Sequence, residues 1–179
     1  MKKRNLYGTR SQAVQECFDR AGGPDKVLVI PMDLAKEEHT AVLCLGTGEC
    51  LSKPFAVQNN PEGVDYLVGR IDGICRQRRI PRENVLIGGE DPAEYTFNFI
   101  HRLRLDGFAF LRVNAAEAST LRNNTRAVSD ALALDGIGQA MIQQRGRLQE
   151  AFDGLYSSLK AAARDRRRLV RDETAWKNR

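Results

Sequence analysis

The sequence contains no run of about 18 apolar residues, which leaves no candidate transmembrane helix. Its basic start, Met1-Lys2-Lys3-Arg4, has no apolar stretch after it, so a secretory signal is not expected. Cysteine is scarce: Cys17, Cys44, Cys50 and Cys75 are the whole set, and no two form a C-x-x-C pair. The two histidines, His39 and His101, lie far apart. Such a set argues against a zinc site and for core thiols in a reducing compartment. No zinc-finger or RNA-recognition signature that would read bases is present.

What is present is 179 residues, 42% of them hydrophobic, enough for one domain with a real core. The net charge of +5 is unevenly spread. Arg145 to Arg179 holds ten Lys/Arg and five Asp/Glu, which accounts for the whole excess and leaves the preceding body near neutral. A basic tail favours nucleic acid, although a solvated helix face has the same composition.

Residues 10–21 read as a short amphipathic helix stopped by Ala21-Gly22-Gly23-Pro24. Lys26–Met32 is a buried strand, with Pro31 expected at its end. His39–Leu45 and Cys50–Val57 are two more, joined through Gly46-Thr47-Gly48-Glu49 as an antiparallel hairpin. Pro61-Glu62-Gly63 opens a helix with Val64, Leu67, Val68, Ile71 and Ile74 on one face. Val85–Gly89 is a fourth strand, Ala93–Leu105 a helix and Phe108–Val113 a fifth strand; Ala115–Leu121 and Asp130–Gln144 are further helices.

Three strands followed by alternating helices and strands predict an α/β fold. The expectation is a mixed five-stranded sheet with flanking helices, the order of the ribonuclease H-like (RuvC-like) fold. Actin-like ATPases begin in the same order. That class needs a Gly-rich phosphate hairpin after the first acid, and Leu34-Ala35-Lys36-Glu37-Glu38 has no glycine and two repelling acids there. Beyond these elements, Leu148, Phe152, Leu155, Leu159, Ala162, Arg166, Leu169, Glu173 and Trp176 follow spacings of 4 and 3. This heptad seam, interrupted by two charges, predicts a long C-terminal coiled-coil-like helix; an amphipathic helix lying on its own domain is the other reading. The expected division is an extension over 1–25, the sheet domain over 26–145 and a basic heptad helix over 146–179.

Two acids end strands: Asp33 follows the first and Glu90 the fourth. In the expected fold those strands are parallel neighbours, which sets the two carboxylates side by side. Such carboxylates repel, and a hard divalent cation is the usual remedy. Two such ions roughly 4 Å apart can hold the attacking and leaving oxygens of a phosphodiester. Acids at strand ends are also common simply because loops are wet; the matched pair is what raises the metal reading. Gly88 and Gly89 would let a ligand approach the backbone closely.

From Lys26 onward the chain also resembles a known family. Asp33-Leu34-Ala35-Lys36-Glu37-Glu38-His39 is similar to the D-x-x-K-x-x-H opening of the DEDD insertion-sequence transposases, also called bridge-RNA-guided recombinases. Asn59 to Gly63 resembles their N-x-x-x-G helix start, Gly89 to Tyr95 their G-x-E-x-T-x-x-Y run, and Arg112-Val113-Asn114 their V-x-x-V-N strand end. Arg164 to Arg179 looks like their helical linker.

The resemblance implies that Asp33 and Glu90 are the first two metal-binding, catalytic acids. The family's last two come from T-D-x-x-D, which here corresponds to Ser129-Asp130-Ala131-Leu132-Ala133-Leu134-Asp135. Asp130 fits the third acid. Ala133 stands where the fourth is expected, and Asp135 is the nearest acid. Residues five apart on a helix point about 140° away from each other, so Asp130 and Asp135 converge only if Asp130 acts before the helix or the helix is irregular. Asp130 as a plain N-cap is the other reading.

The implied function is the N-terminal part of a transposase or recombinase, cleaving and transferring DNA with Mg²⁺ or Mn²⁺. A serine-bearing domain, not found in this sequence, would complete the site. The alternatives are a truncated, inactive nucleic-acid-binding and dimerisation module and, distantly, an actin-like ATPase. Arg122, Arg126, Arg145, Arg147, Arg164, Arg167, Arg168 and Arg171 are the expected phosphate contacts. The expected partners are DNA, a structured guide RNA and a second copy through the last helix. The location is cytoplasmic, on the nucleoid when DNA is bound.

Overall fold

A computed structural model of the chain describes residues 11–90, 94–122, 130–149 and 154–177, with backbone alone for 94, 130–132, 154–161, 164 and 175. The chain forms two compact units, Met1–Gln149 and Glu150–Arg179.

In the first unit the element order is α1 (Gln12–Ala21), β1 (Leu28–Asp33), β2 (Glu38–Ala41), β3 (Cys44–Leu45), β4 (Phe55–Gln58), α2 (Pro61–Arg78), β5 (Val85–Glu90), α3 (Phe97–Leu105), β6 (Ala109–Val113), α4 (Ala115–Leu121), α5 (Asp130–Ile142) and β7 (Arg147–Leu148). The sheet runs β4-β2-β1-β5-β6-β7, with β3 also on β1. The pairs β1–β5 and β5–β6 are parallel and the remainder antiparallel. This mixed sheet with helices packed on it is consistent with the ribonuclease H-like fold.

The sheet has seven strands rather than five. Part of the difference comes from Pro31, which stands inside β1 and not at its end. It has no N–H to give to the neighbouring strand. Met32 and Asp33 pair with β2, Leu28 and Val29 pair with β3, and the ladder breaks between them. Pro31 still accepts from the Val42 N–H, while the Leu43 N–H turns to Ser52 Oγ. One expected strand, His39–Leu45, therefore becomes two. Its hairpin partner is likewise shorter, with a single bridge at Cys50 before β4 begins.

The seventh strand is also a correction. Leu148, expected to start the heptad helix, lies in β7 opposite Leu111. Gln144 and Gly146, at φ 61° and 101°, turn the chain back onto β6. A Cβ on Gly146 would sit 2.7 Å from the Arg112 carbonyl, so the turn needs glycine there.

Alternation along the central strands builds a core on each face of the sheet. Val29, Leu86 and Leu111 meet Val14, Phe18, Ala118, Ile137, Ala140 and Met141 from α1, α4 and α5. The short helix α1 thus contributes to the core on this face. On the opposite face Ile30, Ile87 and Phe110 are fully buried, as are Leu67 and Ile71 of α2 and Ile100 and Leu103 of α3.

The second unit contains α6 (Gly154–Lys177). Leu169 and Trp176, seven residues apart, are 68% and 74% exposed. No described helix is long and apolar enough to cross a membrane.

Candidate acidic site at the sheet edge

The parallel register pairs Met32 of β1 with Gly89 of β5. Asp33 and Glu90 are the next residues, so both acids leave the same edge on neighbouring strands, about 4.8 Å apart as strands go. Both are half-buried. The helix α5 reaches this edge from the other direction. Its Gly138 lies against Pro31, whereas Ile142 lies against Gly48 and lines a cleft with Pro24 and Gly46 at the amino end of β1. The helix therefore runs antiparallel to β1, and Asp130, its first residue, comes to the carboxyl edge of the sheet.

Asp130 shares a helical row with Ile137 and Met141, both fully buried on the sheet. Asp135 is rotated about 140° from that row. The side chain of Asp130 lies outside the described residues. Among the described residues, no three of His, Cys, Asp and Glu gather closely enough to hold a metal. Asp33 and Glu90 are the two described carboxylates at this edge, and the backbone of Asp130 enters it at the start of α5.

Glu90 already has a partner. Arg122 Nη2 donates to Glu90 Oε1 at 2.8 Å, with the two side chains 32% and 33% exposed. Arg122 was expected to face nucleic acid with the other arginines. Its stem runs from the end of α4 past Gly136 toward the acid edge.

The loops carrying the acids are tied together. Asn59 Nδ2 donates to the Lys36 carbonyl at 2.9 Å and to the Tyr95 carbonyl at 2.8 Å. One side chain thus joins the segment after Asp33 to the segment after Glu90. The Ala35 N–H donates to His39 Nδ1 at 3.2 Å. His39 is fully buried, with its ring edge-on to Phe99 at 4.5 Å. Burial lowers its pKa, so the imidazole is neutral and Nδ1 is free to accept. Next to Asn59, Asn60 caps α2 by accepting from the Gly63 N–H at 2.8 Å. A Cβ on Gly63 would lie 1.9 Å from the Gln58 carbonyl, which excludes any other residue from this tight entry.

Gly88 and Gly89 are required by the packing of the protein's own atoms. A Cβ on Gly88 would meet Met141 Cε at 2.8 Å, and one on Gly89 would meet the Met32 carbonyl at 2.8 Å and Leu34 Cδ1 at 3.1 Å.

The family model described as transposase, of the IS110-type DEDD group, matches residues 30–179. The chain belongs to the IS110-type DEDD transposases. No curated protein matches it.

Within this transposase the remaining arginines separate. Arg145 is half-buried and Arg147 exposed in the first unit; Arg167, Arg168 and Arg171 are exposed in the second. Arg126 and the side chain of Arg164 lie outside the described residues. Asn59 and the pairing of Arg122 escaped the sequence. The quoted N-x-x-x-G run contains Asn59, but nothing local reveals a side chain that spans two loops.

Proposed function

We propose that this transposase supplies the acidic half of a DNA strand-cleavage and transfer site, with Asp33, Glu90 and Asp130 holding Mg²⁺ or Mn²⁺. The observation that carries the reading is the β1–β5 register, which brings Asp33 and Glu90 to one edge together with the first residue of α5. Carboxylates are hard anionic donors and suit a hard cation that keeps water and phosphate oxygens as its other ligands. When bound, such a cation stabilises charge on the attacking and leaving oxygens of a phosphodiester. The chain's own residues orient the donors: Asn59 joins the two acid-bearing loops, and neutral His39 holds the turn after Asp33. Asp135 serves as a fourth ligand only if the first turn of α5 departs from regular helix.

A reaction partner carrying a serine nucleophile belongs to this reading, as does DNA held by exposed Arg147, Arg167, Arg168 and Arg171. The basic α6 also suits a structured guide RNA. The exposed Leu169 and Trp176, at heptad spacing, support pairing of α6 with a second copy. The arginine on Glu90 and the rotation of Asp135 favour a second reading, a nucleic-acid-binding module without turnover.

Calorimetric titration with Mn²⁺ tests the site. Asp33→Asn and Glu90→Gln should each weaken binding about tenfold or more while the melting temperature stays near that of the unaltered chain. Unchanged affinity in both variants would remove the acid edge as a metal site and leave the binding module.

A further inference from the structure

We propose that Arg122 is a built-in counter-cation of the acid edge: it holds Glu90 until a divalent cation takes the carboxylate, and so sets how tightly the edge binds metal. This rests on the reading of Asp33 and Glu90 as metal donors.

The position is built for an arginine stem. Arg122 ends α4, where its N–H donates to the Ala118 carbonyl at 3.1 Å and its ψ of 124° leaves the helix. From there the stem passes Gly136 of α5. A Cβ on Gly136 would lie 2.7 Å from Arg122 Cγ and 2.3 Å from the Ala118 carbonyl. Glycine at that one point lets α4 and α5 come together with the arginine threaded between them. The guanidinium then reaches Glu90 Oε1 at 2.8 Å.

Among the described residues, buried Arg122 Nε meets no hydrogen-bond partner. The arginine makes a charge-assisted bond to Glu90 from this buried position. A dication at the same edge supplies the larger charge, and Glu90 cannot give Oε1 to both at full strength. Arg122 is a positioning residue in this scheme: it holds the carboxylate at the edge and competes for it.

The test is calorimetric titration of Mn²⁺ into the full chain and into Arg122→Gln, beside Asp33→Asn. The expected result is affinity about five- to tenfold higher in Arg122→Gln, the size of one partly exposed charge pair. Binding by Arg122→Gln but not by the unaltered chain would support the proposal more strongly. Equal or weaker affinity in Arg122→Gln would overturn it, while loss of binding in Asp33→Asn would keep the metal reading. Absence of binding in every chain would overturn both.

If Arg122→Gln fails to fold by circular dichroism, NMR of the unaltered chain decides. Arg122 Nη signals showing hindered rotation should become averaged as Mg²⁺ is added. Signals unchanged at 100 mM Mg²⁺, a level of about a hundred times a millimolar Kd, would overturn the proposal.

Discussion

Replacing Gly136 with alanine tests the packing that brings α5 to the acid edge. The new Cβ would lie 2.3 Å from the Ala118 carbonyl oxygen and 2.7 Å from Arg122 Cγ, against an ordinary contact of 3.4–4 Å. The Arg122 stem is flexible and can shift. The Ala118 carbonyl is backbone inside α4, so α4 and α5 must separate by about 1 Å. Overpacking of this kind costs about 1–3 kcal/mol. For a chain of this size that corresponds to a fall of about 3–10 °C in Tm. Alanine's higher helix propensity recovers under about 1 kcal/mol of it.

Gly69 is the control. It lies in the middle of α2, exposed, and a Cβ there meets nothing within 4 Å. Gly69→Ala should therefore raise Tm by about 1–3 °C, from propensity alone. Thermal melts followed by circular dichroism, in buffer containing EDTA, measure both. If Gly136→Ala melts at or above the unaltered chain, the close approach of α4 and α5 is wrong, and the slot through which Arg122 reaches Glu90 goes with it.

Asn59→Ala should cost about 1–2 kcal/mol in urea denaturation, since two side-chain bonds to backbone carbonyls are lost; a change below about 0.5 kcal/mol would mean the tether carries no load. His39 has its pKa lowered from 6.5 by burial, so its contribution to stability is present above pH 6.5 and is lost as pH falls below that value. Melts between pH 7.5 and 5 should show a falling Tm that His39→Gln flattens, and equal slopes in the two chains would refute the neutral, buried imidazole. Cys44 is pushed from 9.0 up to about 12 by burial and by its contact with Cys50, 3.3 Å away, and both favour the thiol. Stability should therefore decline as pH rises from 9 toward 12, and iodoacetamide at pH 8 should label exposed Cys50 before Cys44 in the folded chain; equal labelling would argue against the burial.

Patterns that repeat within a few residues were legible without the fold. The apolar runs of β1 and β5, the 3.6-residue spacing of α2 and the breaks at Gly22 and Gly107 are all local. Parallel neighbouring of the strands that carry Asp33 and Glu90 followed from element order alone. The break at Pro31 was not local: a proline inside a strand is tolerated only where the partner strand can do without its N–H, and that depends on how Val42 and Leu43 are satisfied. Strand β7 escaped because two residues have no period, and its pairing depends on the turn at Gln144 and Gly146.

The same division runs through the site. Sequence by itself determined which acids end which strands, and that Asp135 stands five residues and about 140° from Asp130. Membership of the transposase family was likewise written in short ordered motifs. Only the tertiary structure decided that Asn59 bridges two loops, that Gly88 and Gly89 make room for Met141 and Leu34, and that Arg122 turns inward to Glu90. The pair Arg122 and Glu90 is 32 residues apart in the chain. Composition and spacing report what a residue could do on its own helix or strand; the glycine gap between α4 and α5 determines which way an arginine goes.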